Sequence, residues 1–125
     1  MILVDTSVWV DHLRADNSAL KRLLNAGRVL THPFVIGELA LGQMRQHEII
    51  LAALSDLPRA ELATDAEVLG FINRQALFGR GVGYLDVHLL ASVRLTGGAK
   101  LWTRDTRLRH VAEELGLAVT PHGLS

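Results

Sequence analysis

The 125-residue chain contains no cysteine, which excludes disulfide bonds, thiol nucleophiles and zinc–thiolate sites. Aromatic residues make up only 5% of the sequence, too few for a domain that holds RNA bases on a platform of stacked rings. The formal net charge is zero, so no overall field attracts the chain to nucleic acid or to an anionic membrane. Binding to either must therefore depend on a local arrangement of side chains.

Long hydrophobic runs are also missing. No stretch approaches the roughly 18 apolar residues that a membrane-spanning helix requires. The first residues show neither the basic start nor the cleavage site that is typical of a signal peptide. We therefore expect a cytoplasmic protein with no membrane partner.

The composition is nevertheless that of a protein with a real core. Hydrophobic residues make up 49% of the sequence and charged residues 21%, which is typical of a globular chain rather than a disordered one. At this length we expect a single domain, residues 1–125. Of the 13 basic residues only Lys21 and Lys100 are lysine, so arginine, whose fork suits phosphate recognition, supplies the rest.

Apolar runs alternate with helical periodicity along the chain. The runs predict strands at residues 1–4, 28–31, 59–62, 99–103 and 117–120, and the segments between them predict seven helices. Cap residues that mark helix ends include Asn17, Gly27, Pro33 and the pair Thr64 and Glu67. Strands that alternate with helices in this way favour right-handed crossovers and a parallel sheet covered on both faces.

Four carboxylates occupy positions where chemistry is expected. Asp5 and Asp105 follow strands, at the edge where parallel sheets bind ligands. Asp86 lies in the first turn of a predicted helix, and Glu38 interrupts an otherwise apolar helix without an obvious partner. Converging carboxylates repel one another unless they share a proton, meet an arginine or bind a divalent cation. The isolation of Glu38 favours the cation, so we predict a Mg²⁺ or Mn²⁺ site.

Each acid at a helix start also has a purely structural interpretation. Asp5 could begin a turn, Asp105 could cap a helix, and Asp86 could simply complement the helix dipole. The histidines show no metal-binding spacing, and His88 points about 200° around its helix from Asp86. We therefore assign no catalytic role to His88.

The motifs around these acids carry a family resemblance. They are ILVDTS at residues 2–7, Glu38 in the helix after the second strand, GYLD at 83–86 and LWTRD at 101–105. In their order and spacing the chain resembles the PIN-domain family, in particular the VapC toxins of bacterial toxin–antitoxin pairs. The resemblance implies a three-layer α/β/α sandwich around a five-stranded parallel sheet, and a Mg²⁺- or Mn²⁺-dependent endoribonuclease.

The resemblance also implies residue roles. The metal-binding and catalytic acids correspond to Asp5, Glu38, Asp86 and Asp105. The hydroxyl groups of nearby residues are candidates to orient these acids; they belong to Thr6, Ser7 and Thr103.

Basic residues near the last acid are candidates for binding RNA phosphates. Between positions 94 and 110 four arginines and one lysine stand against Asp105 alone, a formal charge of +4. We expect Arg104 and Arg107 to contact phosphates, assisted by Arg80 in the glycine-rich loop. The alternative is a solvated helix face.

The first two predicted helices are rich in apolar residues for so small a core, and we expect some of these residues to meet a partner. These residues are Val8, Trp9, Leu13, Leu20, Leu23 and Leu24. The resemblance implies that the partner is a VapB-type antitoxin whose disordered tail folds along a groove beside the active site. It also implies a homodimer and a toxin–antitoxin hetero-oligomer.

Two other interpretations fit less well. A receiver-type phosphoacceptor domain needs an acidic pair after the first strand and a lysine after a late strand, but Thr6 and Ser7 follow Asp5, and Lys100 precedes its strand residues. A catalytically weak PIN-like interaction module would have lost at least one acid. All four acids are present.

Overall fold

The computed structural model describes residues 1–124, which form short strands connected by helices. The elements, in chain order, are β1 Ile2–Val4, α1 Thr6–Arg14, α2 Ser18–Asn25, β2 Val29–Leu30, α3 Pro33–Ala40, α4 His47–Ser55, α5 Asp65–Arg74, α6 Tyr84–Leu95, β3 Lys100–Trp102, α7 Thr106–Glu114 and a final 3₁₀ turn, His122–Leu124.

The three strands form a parallel sheet in the order β2-β1-β3. Ile2 lies opposite Val29 on one side and Lys100 on the other, and Val4 lies opposite Trp102. All three residues of β1 are buried, as expected for a central strand that is covered on both faces. The carboxyl ends of β1 and β3 therefore open side by side, and Asp5 follows the first of them.

The expectation of five strands is wrong for the described residues, which contain three. At the predicted outer positions, single parallel bridges join Thr31 to Arg59 and Leu101 to Ala118. The first bridge cannot extend, because β2 is two residues long and the chain enters α3 at Pro33. On the other side, Leu101 exchanges hydrogen bonds with residues 117 and 119 (2.7 and 2.9 Å), and the ladder ends there.

The seven predicted helices are all present, and four of them, α2, α3, α5 and α7, begin at a side-chain cap. Thr64 and Glu67 form a reciprocal capping box, with hydrogen bonds of 2.9 and 3.1 Å. Asn17 accepts a hydrogen bond from the amide of Leu20 at 3.0 Å, and Gly27 leaves α2 with a φ of 67°. Within residues 1–124, no helix combines the length and apolarity needed to cross a membrane.

The apolar residues of α1 and α2 belong largely to the protein's own core. Of the six residues named above, Val8, Trp9, Leu20 and Leu23 are buried and Leu24 is half-buried, so these five offer little surface to a partner. Leu13 is the exception, with 36% of its surface exposed. The high apolar content therefore reflects core packing against the sheet rather than a large uncovered face on these two helices.

A buried histidine connects the helices that carry two of the acids. His32 Nδ1 accepts a hydrogen bond from the amide of Phe34 at 3.0 Å and so caps α3. Its other ring nitrogen must then carry the proton, and Nε2 donates to Ser92 Oγ on α6 at 3.1 Å. This contact fixes α3, which carries Glu38, against α6, which carries Asp86.

Candidate active site

Asp5 lies at the centre of the site. It occupies the N-cap position of α1, but its side chain makes no capping hydrogen bond. Instead Oδ2 accepts hydrogen bonds from Ser7 Oγ at 2.7 Å and Thr103 Oγ1 at 2.8 Å. The residue is only 5% exposed. Two hydroxyl groups therefore fix the direction of a buried carboxylate, and helix capping does not explain why an aspartate occupies this position.

The same two hydroxyls join the ends of β1 and β3. Ser7 Oγ accepts from the amide of Arg104 at 3.0 Å, and Thr103 Oγ1 accepts from the amide of Asp105 at 3.1 Å. The backbone amide of Asp5 also donates to the carbonyl of Trp102 at 2.9 Å. Each hydroxyl therefore donates to Asp5 and accepts from the segment after β3, which sets the spacing between the two strand ends.

Asp105 combines a structural contact with a place at the site. Its Oδ1 accepts a hydrogen bond from the amide of Leu108 at 3.0 Å and caps α7, as the structural interpretation of this residue requires. The Asp105 carboxylate is also close enough to Asp86 to raise the pKa of that group. Capping and participation in the site therefore do not exclude each other.

Asp86 shows that the four acids converge. The half-buried carboxyl lies in the first turn of α6, and its pKa is raised to about 6. Burial is the largest cause, followed by the negative charges of Asp5, Asp105 and Glu38. Repulsion from three carboxylates on three other segments places all four around one crevice at the carboxyl edge of the sheet.

Glu38 approaches this crevice from α3 and is exposed to solvent. Its Oε1 accepts a hydrogen bond from Thr6 Oγ1 at 2.9 Å, which ties α3 to the start of α1. Each of the three hydroxyl residues proposed to orient the acids therefore donates a hydrogen bond to an acid. Thr6 donates to Glu38, whereas Ser7 and Thr103 donate to Asp5.

The donor chemistry of this crevice fits a divalent metal ion. None of the four acids forms an ion pair with a lysine or arginine within residues 1–124. In that same part of the chain, no three acidic or histidine side chains lie close enough together to hold a metal ion as they stand, so binding an ion requires these side chains to move closer to one another. Carboxylates that repel one another and have no cationic partner are the oxygen ligands that Mg²⁺ and Mn²⁺ prefer.

The three arginines singled out from the sequence have different surroundings. Arg104 pairs with Asp11 at 2.7 Å, and Arg80 makes a two-pronged contact with Glu114 at 2.9 and 2.8 Å. Arg107 instead lies over Gly81, where a Cβ would come within 2.8 Å of its Nη1. Gly81 also has a φ of 78°, so the loop needs glycine there to accommodate this guanidinium.

A second set of hydrogen bonds holds α6, the helix that carries Asp86, against the start of α5. Tyr84 Oη and His88 Nε2 both donate to Oδ1 of Asp65 at the start of α5, at 3.0 and 3.1 Å. Tyr84 and His88 are four residues apart on one face of α6, with their rings 4.8 Å apart. No motif in the sequence singled out Asp65, although the 84/88 spacing could have indicated a shared partner.

A cavity of about 540 Å³ adjoins the acidic crevice, and Glu38 lines its wall. It lies between α1, α3 and the turn that leads into α4, where Gln46 adopts a left-handed φ of 56°. No sequence pattern marks a hollow that depends on the path of such a turn.

Comparison with known proteins identifies this combination of fold and acids. The PIN domain model matches residues 2–114, a range that contains all four carboxylates. The chain belongs to the PIN-domain family. Two curated relatives are both named Ribonuclease VapC32, from Mycobacterium tuberculosis strains CDC 1551 / Oshkosh and ATCC 25618 / H37Rv. Each is 49% identical over 119 residues, which cover 95% of this PIN-domain chain and 96% of the relative.

Proposed function

We propose that this PIN domain is the toxin of a VapBC-type toxin–antitoxin pair and a metal-dependent endoribonuclease. The observation that carries the proposal is the grouping of Asp5, Glu38 and Asp105 around Asp86, whose pKa is raised to about 6 first by burial and then by these three charges. The relatives named as ribonucleases share nearly the whole length of the chain. The acids and the names point to the same chemistry, hydrolysis of RNA phosphodiester bonds.

The proposed roles of the residues follow from their positions. Bound Mg²⁺ or Mn²⁺ supplies a water molecule of lowered pKa and stabilises the charge that develops on the phosphate. Asp5 and Asp86, the more buried acids, are the proposed direct ligands. Glu38 would orient the attacking water or bind the ion through it, and Asp105 would complete the site for a second ion. Ser7 and Thr103 hold Asp5 in place through the hydrogen bonds described above.

Removal of divalent ions tests this proposal. Cleavage of single-stranded RNA by the purified chain is expected to stop in EDTA, because the acids alone provide no activated nucleophile. Activity is expected to return when excess Mg²⁺ or Mn²⁺ is added, and comparing the two ions identifies the preferred metal. Unchanged cleavage in chelator would count against a metal mechanism and would point to a contaminating nuclease.

The contribution of the arginines to RNA binding can be measured through salt dependence. Within residues 1–124 Arg107 has no acidic partner, whereas Arg80 is paired with Glu114. We expect Arg107→Ala to weaken RNA binding across sequences and to lower the slope of log Kd against log salt concentration by about 0.7, the value of one phosphate contact on a single strand. Arg80→Ala and Arg104→Ala are the comparison variants. We expect them to change the affinity and the salt slope less, because each of these guanidiniums must break its ion pair with an acid before it can bind a phosphate. An unchanged salt slope for Arg107→Ala would show that Arg107 does not contact RNA and belongs to a solvated helix face instead.

The proposed partners follow from the family. A VapB-type antitoxin would cover the crevice in the resting complex, the toxin would form a homodimer within a toxin–antitoxin hetero-oligomer, and the proteins would act in the cytoplasm. The three-layer α/β/α arrangement belongs to the same proposal. It is supported by the parallel order β2-β1-β3, in which right-handed crossovers to the two sides of β1 lie on opposite faces of the sheet.

A further inference from the structure

The cavity beside Glu38 has an apolar wall. Side chains from two directions form this wall: Leu13 from the end of α1, and Met44 and Ile50 from the turn and first part of α4. Leu13 is 36% exposed, so part of the wall faces solvent. At about 540 Å³, the cavity falls within the size range of small-molecule sites and is large enough for a flat, mostly apolar ring system.

Two arginines stand at the same cavity without a counter-charge. Arg14 and Arg45 line it, and within residues 1–124 neither forms an ion pair. Their situation differs from that of Arg80 and Arg104, which are held by acids. An unpaired guanidinium is free to form a forked contact with a phosphate.

The charge of the cavity favours an anionic occupant. Its only acid within the described residues is Glu38, which belongs to the metal-binding set. Once a divalent ion neutralises these acids, the remaining charge at the cavity comes from the two arginines. Gln43 and Gln46 add amide groups that can donate to or accept from the edge of a base.

Continuity with the crevice determines which anion fits best. Glu38 is part of both sites, so a phosphodiester chain positioned for cleavage at the acids has its neighbouring nucleotide at the mouth of the cavity. We propose that the cavity binds the nucleotide of single-stranded RNA next to the cleaved bond. The base packs against Leu13, Met44 and Ile50, and a flanking phosphate contacts Arg14 and Arg45. This inference rests on the proposed ribonuclease function and adds a site that determines sequence preference.

Binding without cleavage provides the first test. With Mg²⁺ present and all four acids intact, fluorescence anisotropy measures the affinity of a labelled, nuclease-resistant phosphorothioate single-stranded RNA of 12 random nucleotides. We expect Arg14→Ala with Arg45→Ala to weaken binding at least tenfold and to lower the salt slope by about 1.4, about 0.7 for each lost contact. The matched control is Arg22→Ala with Arg74→Ala, which removes the same charge outside the cavity and is expected to change the slope little.

Cleavage-site sequencing provides the second test. We expect the parent chain, acting on the random RNA, to prefer certain bases at one position beside the cut bond, and Met44→Ala to weaken that preference while cleavage elsewhere continues. Met44 is half-buried in a loop, so its truncation should leave the fold intact; a thermal unfolding scan confirms this.

The possible failures can be told apart. If the parent cleaves RNA but the cavity variants keep its affinity, salt slope and base preference, this inference is overturned and the ribonuclease proposal stands. If the variants bind a co-expressed VapB-type antitoxin more weakly but handle RNA as the parent does, the cavity is a protein-docking site and the inference is likewise overturned. A parent that cleaves no RNA with any divalent ion overturns both proposals.

Discussion

Asp86→Asn is expected to abolish RNA cleavage and, in metal-free buffer at pH 7.5, to raise the free energy of unfolding. The pKa of Asp86 is raised from an ordinary value of 3.8 to about 6, first by burial and then by the charges of the other three acids. Above pH 6 the folded chain therefore carries an unfavourable carboxylate that the unfolded chain solvates freely. Each pKa unit corresponds to about 1.4 kcal/mol, and partial exposure reduces the effect, so we expect a gain of about 2 kcal/mol.

The pH dependence of this gain has a defined sign. A raised pKa means that the folded state binds the proton more tightly, so the penalty is fully present above pH 6 and disappears as the pH falls through 3.8. Urea unfolding of parent and variant in EDTA should therefore show a difference at pH 7.5 that shrinks towards zero near pH 3.5. Asp56→Asn, an exposed acid at the end of α4, is the control and should show no such gain.

Loss of function in the same variant follows from the missing ligand. RNA cleavage by Asp86→Asn or Asp5→Asn should fall below about a tenth of the parent rate with Mg²⁺ or Mn²⁺ supplied. Growth arrest on expression should be lost in parallel. Added Mg²⁺ should stabilise the parent but not Asp86→Asn, because only the parent retains the full set of acids. A variant that cleaves RNA like the parent would remove Asp86 from the mechanism.

The second large effect concerns acid stability and the buried His32. Burial, and after it the positive charges of His88 and Arg59, lower the pKa of His32 from an ordinary value of 6.5 to about 4. The unfolded chain thus binds a proton that the folded chain excludes. Stability is complete above pH 6.5 and is lost as the pH falls towards 4. A shift of this size corresponds to roughly 3 kcal/mol.

His32→Asn separates this effect from the other groups that titrate in acid. Asparagine can still accept the hydrogen bond from the amide of Phe34, but it does not titrate and does not reproduce the contact with Ser92. We expect the variant to be less stable than the parent at pH 8 and to approach it as the pH falls to 4. Urea unfolding across this range measures the difference, with the exposed His110→Asn as control. A parent–variant gap that stays constant with pH would show that His32 does not carry the acid sensitivity.

Local patterns predicted the helices well and singled out four acids, for identifiable physical reasons. Helix ends at Asn17, Gly27 and Thr64 depend on hydrogen bonds between residues a few positions apart, so the sequence contains both partners. Asp5 and Asp105 stood out because the carboxyl ends of parallel strands share one edge. Glu38 stood out because it interrupts an apolar stretch of sequence, although in the structure it is exposed and accepts a hydrogen bond from Thr6. These rules do not depend on the exact packing of the chain.

Long-range pairings were beyond the reach of such patterns. The edge segments near Arg59 and Ala118 look like strands, but their pairing depends on how soon the neighbouring strand turns into a helix. The partner of Arg104 is Asp11, which lies on a helix at the opposite end of the sequence. The cavity depends on the left-handed backbone at Gln46. Each of these features is a consequence of tertiary packing.

The hydrogen bond between Thr103 and Asp5 joins residues 98 positions apart, and this separation affects the timing of synthesis. A ribosome makes the chain from its N-terminus, so Asp5 emerges early while β3, with Thr103 and Asp105 after it, emerges late. Until then the central strand has no neighbour on that side, and the crevice lacks one wall and one acid. A nascent chain is therefore inactive for most of its translation, and the nuclease comes into existence only as the last fifth of the molecule folds onto the first strand.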